Sequence, residues 1–185
     1  MLSQSDLLTK DPNELYIAYD LGIPVDLPKL LASLQINLNQ EFDFDKLGYS
    51  GEIYWDNDVV NIWVNPTDIE QRQRFTIAHE IGHFILHMLP HIEDRSIEFK
   101  DDIKNLKRSD IWDAKEYEAN NFAARLLMPK SAIMDSLLQI AQEYKAQGSS
   151  KITLDDLLEI MASKFNVSKL AMKFRLKNLG IIKNT

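Results

Sequence analysis

The stretch Phe75-Thr76-Ile77-Ala78-His79-Glu80-Ile81-Gly82-His83-Phe84-Ile85-Leu86-His87 decides how this chain is read. Its centre, His79-Glu80-Ile81-Gly82-His83, places two histidines four residues apart. On a helix such residues share a face and lie about 6 Å apart along the axis. Two imidazoles can then converge on one metal ion. Glu80 follows the first histidine, so its carboxylate stands beside the metal rather than on it. There it can take a proton from an activated water. Phe75, Ile77, Ala78, Ile81, Phe84, Ile85 and Leu86 frame these groups. The frame describes a buried helix that turns a few polar groups into a cleft. It weighs against the bland alternative of two solvated histidines that happen to stand four apart.

A histidine-based zinc site with one open position usually has three protein ligands. The chain has four histidines and no cysteine, so the third ligand is a histidine or a carboxylate. His87 continues the spacing, but on a straight helix it lies about 12 Å from His79 along the axis, which rules it out. His91 follows Pro90 and has no supporting pattern. The stretch Glu116-Tyr117-Glu118-Ala119-Asn120-Asn121-Phe122-Ala123-Ala124-Arg125-Leu126-Leu127-Met128-Pro129 reads as a helix ended by proline. Glu116 shares a face with Ala119, Asn120, Ala123 and Leu127, the small and apolar side. Glu118 shares its face with Asn121 and Arg125, the polar side. Glu116 is therefore the expected third ligand, and Asn120, one turn on, the expected hydrogen-bond partner of a ligand histidine. The bland reading makes Glu116 a first-turn acid favoured only by the helix dipole.

The 185 residues, 45% hydrophobic and 26% charged, suit a soluble protein with a sizeable core. The lack of cysteine excludes disulfides and thiolate metal sites and fits a cytoplasmic location. Met1 to Asp6 show no basic and apolar leader pattern. No apolar run approaches the roughly 20 residues of a membrane span. A formal net charge of −7 argues against the chain as a whole binding polyanions.

Ahead of the histidine helix, Asp11-Pro12-Asn13-Glu14 opens a short helix that Gly22 ends. Leu27, Leu30, Leu31 and Leu34 mark a second helix, and Ile36-Asn37-Leu38-Asn39 a short strand. Residues 51–55 and 59–65 form a hairpin turning at Asp56-Asn57-Asp58. Its outer edge either receives an extended peptide or is covered by the acidic loop 40–49. Thr67-Asp68-Ile69-Glu70 reads as a capping box, starting a helix that runs to His87 or Met88. Residues 91–115 are dense in both charge signs and read as solvated surface.

The residues Arg74-Phe75-Thr76-Ile77-Ala78-His79-Glu80-Ile81-Gly82-His83 resemble the ImmA/IrrE family of metallo-endopeptidases. So does Glu116-x-Glu118-Ala119-Asn120-x-Phe122-Ala123-x-x-Leu126-Leu127-Met128-Pro129. The likeness also takes in Val25-Asp26-Leu27 and the hairpin. It implies an α+β fold with a zincin-like, thermolysin-related core. It also implies a zinc-dependent endopeptidase that cleaves a regulatory protein, a helix-turn-helix repressor of a mobile element, prophage or stress response. The expected metal ligands are His79, His83 and Glu116, with Glu80 as the catalytic base. Zinc is the default metal, and a two-histidine, one-glutamate site also accepts manganese. His91, Tyr49, Tyr54, Arg74 and Arg125 are the candidates for stabilising an oxyanion.

Past Pro129, residues 131–144 form an amphipathic helix, and Gln147-Gly148-Ser149-Ser150 a break. The expected division is a metallopeptidase domain over 1–147 and a small helical unit over 150–185. In that unit Thr153 caps one helix and Ser168 the next; Leu170, Ala171, Phe174 and Leu179 follow on the second helix, which Gly180 stops. The pattern resembles a helix-turn-helix. From residue 160 onward there is no acid, while Lys164, Lys169, Lys173, Arg175, Lys177 and Lys183 are basic. A DNA-binding regulator with a structural or vestigial metal site is thus the second functional reading. The acidic chain favours instead a helical pair that packs on the peptidase or grips its substrate.

Overall fold

The computed structural model describes residues 11–102, 110–149 and 151–183. The leader reading of residues 1–6, the centre of the charged segment and Ser150 lie outside them. The fold is mixed α+β, as expected. Two short helices, α1 (Pro12–Ala18) and α2 (Leu27–Leu34), lead into strand β1 (Ile36–Asn39), then β2 (Tyr49–Asp56) and β3 (Val59–Val64). The histidine helix α3 (Glu70–His83) follows, then strand β4 (Phe99–Asp102) and helix α4 (Asp110–Leu127). Helices α5 (Lys130–Ala146), α6 (Leu154–Phe165) and α7 (Lys169–Asn178) complete the described chain. No helix among the described residues is long and apolar enough to cross a membrane.

Local chemistry sets most boundaries. Asp11 Oδ1 accepts the Asn13 N–H at the start of α1, and Asp26 caps α2 through the Lys29 N–H. Asn57 and Asp58 both take positive φ, +47° and +64°, which a two-residue hairpin loop requires. The start of α3 departs from the expected capping box. Asn65 Oδ1 accepts both the Thr67 N–H (3.0 Å) and the Thr67 hydroxyl (2.7 Å). With that hydroxyl engaged, the helix begins at Glu70 behind an uncapped Ile69.

The sheet order is β1-β3-β2-β4. β1 runs parallel to β3, and β2 pairs antiparallel with both β3 and β4. Strand β4 emerges from the segment expected to be plain surface. Both hairpin edges are therefore filled by strands, one by β1 and the other by β4, and the acidic loop covers neither. Ile53, Ile62 and Val64 join Ile77, Ala78 and Ile81 of α3 in the core, all buried. The same core cluster continues through Phe122, Leu126 and Ile133 to Leu158, Met161, Phe165, Met172 and Leu176.

Of the apolar residues read at α7, Ala171 and Leu179 pack against the core, whereas Leu170 and Phe174 do not. Met172, Arg175 and Leu176 are buried, whereas Leu170 is 62% and Phe174 56% exposed. Arg175 Nε donates to the Met128 carbonyl at 3.0 Å, which ties α7 to the end of α4. The helix carries apolar residues on two sides, and this tie selects which one faces in.

Candidate metal centre

Helix α3 presents His79 and His83 one turn apart, and α4 presents Glu116 to both. His79 Nε2 lies 3.2 Å from Glu116 Oε2, and His83 Nε2 lies 3.2 Å from Glu116 Oε1. The two Nε2 atoms are 2.9 Å apart. These three residues form the one group of converging potential ligands found among the described residues. A tetrahedral ion with ligands at about 2.0–2.1 Å has neighbouring ligand atoms about 3.3 Å apart. The observed spacings, 2.9 Å between the imidazoles and 3.2 Å from each to one of the two carboxylate oxygens, come close to that, so the trio can hold a divalent cation.

The close meeting of α3 and α4 has a visible cause. A Cβ on Gly82 would lie 3.2 Å from Ala119 Cα and 3.2 Å from Phe122 Cβ. Glycine at this point of the motif lets the two helices touch, and that approach carries Glu116 to the histidines. Glu116 occupies the second turn of α4, because the helix starts at Asp110. The simple first-turn dipole reading of Glu116 therefore does not apply.

Electrostatics leave His83 and Glu116 in protonation states that suit a metal ligand. Burial dominates at His83 and lowers its pKa to about 4, against the opposing pull of Glu116. Burial by itself would raise Glu116, but its hydrogen bonds and charge interactions with His79 and His83 outweigh this and hold it at about 2. At neutral pH His83 thus offers a lone pair and Glu116 a negative charge. The Nδ1 atoms of both histidines are buried without a hydrogen-bond partner.

Glu80 has no solvent exposure. Strand β2 runs against it at Gly51, where a Cβ would lie 3.0 Å from Glu80 Oε1 and 2.2 Å from Thr76 Cγ2. On the other side, Phe99 of β4 stacks on His83, with centroids 4.1 Å apart and planes at 14°. Phe75 stacks on His79 at 6.4 Å. Gly51 and Phe99 are the two contributors that sequence reasoning missed. Glycine inside a strand often marks close backbone approach, a usable signal at Gly51. Phe99 was hidden by charged neighbours, although Ile97 and Phe99 alternate as strand residues do.

Beyond His83 the helix widens into a π-helical turn, Phe84–Met88, a feature common at functional sites. His87 lies on this turn and outside the ligand trio. Its Nε2 is 3.4 Å from the Lys115 carbonyl and 3.7 Å from Glu118 Oε2. The helix is not a straight α-helix that far, so the straight-helix distance that set His87 aside does not describe this turn. Asn120 is exposed and bonds neither ligand histidine; with Phe75 and Phe174 it lines a surface hollow. Among the oxyanion candidates, Arg74 Nη2 donates to the Val25 carbonyl at 2.8 Å, and Arg125 pairs with Asp11. Tyr54 packs with Lys46, and His91 is exposed.

Residues 40–177 match the model of a peptidase family described as the IrrE N-terminal-like domain. That span includes every residue of the metal centre. The chain is also 32% identical over 114 residues to "Metallopeptidase ImmA" of Bacillus subtilis (strain 168). The alignment takes in 62% of this chain and spans 54% of that protein's length.

Proposed function

The chain belongs to the peptidase family of the IrrE N-terminal-like domain, and from this we propose that it is a zinc-dependent endopeptidase acting on a regulatory protein. The observation that carries the reading is the convergence of His79, His83 and Glu116 with Glu80 next to the first histidine. Two imidazole nitrogens and a carboxylate oxygen are the ligand set of a hydrolytic zinc site. A bound divalent cation supplies Lewis acidity toward water and toward a peptide carbonyl.

The chain's own residues do the rest. His79 and His83 would hold the ion through the Nε2 atoms that face Glu116, with the proton of each neutral ring on Nδ1. Glu116 contributes the negative charge. Glu80 accepts the proton of the attacking water at a carboxylate oxygen and returns it to the leaving amine. Packing of β2 at Gly51 fixes where that carboxylate sits. The Phe99 ring covers one face of the His83 imidazole and keeps water from it.

The substrate we assign is a helix-turn-helix repressor encoded beside this gene, in the cytoplasm. Support for it comes from the family resemblance. A DNA-binding role for residues 150–185 gains little from the structure. Of the basic residues, Arg175 is buried on the Met128 carbonyl, and Lys169 pairs with Asp155 (2.8 Å) and Glu159 (3.3 Å). The test is to incubate zinc-loaded protein with that repressor and read the products by mass. One defined cut, lost in Glu80→Gln, is expected. Full cleavage by the Glu80→Gln protein would overturn the mechanism, and an intact repressor would overturn the substrate.

A further inference from the structure

The two ligand-bearing faces do not end at the metal centre. On α3 the face of His83 and His79 continues one turn back to Phe75. On α4 the face of Glu116 continues to Asn120 and Ala124 and, just past the helix end, to Met128, again at four-residue spacing. Helix α7 lies opposite this extension. Between them is a hollow of about 370 Å³. Its walls include Phe75, Asn120, Ala124, Leu170 and Phe174.

Three properties of the hollow point to one occupant. First, two of its lining residues, Phe75 and Asn120, stand one helical turn from His79 and Glu116 on the same two helices, which puts the hollow within reach of a polypeptide held at the centre. Second, Leu170 and Phe174 are exposed at 62% and 56%, although their spacing marks them as a helical apolar pair. Large apolar side chains left in water beside a reactive site mark a binding surface. Third, the hollow is neutral in a chain of net charge −7. Among the described residues no aspartate, glutamate or lysine lines it, and the one cation there, Arg175, is buried with Nε bonded to the Met128 carbonyl. Asn120 and Asn178 supply amides suited to a peptide backbone.

We propose that this hollow is a specificity pocket that takes an aromatic or long aliphatic side chain of the polypeptide being cut, with α7 as its outer wall. The proposal rests on the peptidase reading and gives the C-terminal helices a role in substrate selection. Arg175 positions the wall by holding α7 on α4, while Leu170 and Phe174 touch the substrate.

The test uses the full zinc-loaded chain and two dye-labelled degenerate peptide pools. One pool has leucine or phenylalanine fixed at a central position, and the other has serine or aspartate there. Binding is read by fluorescence anisotropy in the Glu80→Gln background, so that turnover does not interfere. The apolar pool should bind on the order of tenfold more tightly, as burial of one apolar side chain allows. Phe174→Asp should abolish that preference, and Phe174→Leu should retain most of it. Zinc affinity should be the same in all three proteins, which controls for folding. Equal binding of the two pools, or a preference untouched by Phe174→Asp, overturns the pocket. Cleavage of the pools by the chain with native Glu80 then separates the two ideas. A preference in binding with no cleavage leaves the hollow as a peptide-binding surface and counts against the peptidase reading. Cleavage with no preference refutes the pocket and leaves the peptidase.

Discussion

Replacing Gly51 by alanine puts a single methyl group between β2 and α3. An ideal Cβ there lies 2.2 Å from Thr76 Cγ2, 3.0 Å from Glu80 Oε1 and 3.4 Å from the Trp63 carbonyl oxygen. The first distance falls far inside the carbon–carbon optimum of about 3.5–4.0 Å. Thr76 is buried and β-branched on a helix, so its methyl cannot swing aside freely. Alanine in place of glycine recovers about 0.5–1 kcal/mol of backbone freedom in a strand. Overpacking a tight site costs about 1–3 kcal/mol. The net expectation is a loss of about 1–2 kcal/mol. Urea unfolding of the metal-free chain should show this as a lower midpoint with an unchanged slope. Adding Thr76→Ser removes Cγ2 and with it the 2.2 Å contact, so the double variant should regain most of the stability. The contact with Glu80 remains in both proteins. Cleavage should therefore stay impaired in the double variant while zinc affinity holds. A Gly51→Ala protein as stable and as active as the parent would refute the close packing of β2 on Glu80.

Four further outcomes follow from the same geometry. Gly82→Ala should weaken zinc binding and lower stability by about 1 kcal/mol, since the atoms it meets are the Ala119 Cα and the Phe122 Cβ and Cδ1; a tighter site would contradict this. Glu80→Gln should bind zinc and lose cleavage, whereas His79→Ala should lose both, as metal titration and product mass will show. Arg175→Ala should cost about 1–3 kcal/mol in unfolding experiments, because the buried Met128 carbonyl loses its donor. In the metal-free chain, stability should fall between pH 6.5 and 4. The unfolded His83 takes up a proton in that window and the folded one, at about 4, does not. The loss should reach up to about 3 kcal/mol, and stability unchanged over that range would contradict the buried, neutral His83.

Much of the centre was legible because it depends on short-range periodicity. The histidines are placed by one turn of helix, and Glu116 was separated from Glu118 by which helix face is small and apolar. What the sequence hid depends on competition between distant or equivalent partners. Asn65 claimed the Thr67 hydroxyl, so the capping box did not form. Strand β4 lay among charges whose alternation with Ile97 and Phe99 was easy to miss. Helix α7 offers two apolar faces, Leu170 with Phe174 and Met172 with Leu176. Periodicity cannot rank them, and the buried bond from Arg175 to a carbonyl on another helix does. The same bond takes Arg175 out of the basic surface that suggested DNA binding.

Two helices bring His79, His83 and Glu116 together as one candidate site for a metal ion. That site is tested most directly by zinc titration of the chain and of Glu116→Ala, with the bound ion's ligands read by X-ray absorption. One zinc per chain is expected, with two imidazole nitrogens and a carboxylate oxygen at about 2.0–2.2 Å. In Glu116→Ala the affinity should fall by at least about a hundredfold, since even the loss of a ligand's supporting bond costs about 10–100-fold. Zinc bound equally well without Glu116, or bound with no carboxylate ligand, would contradict that site.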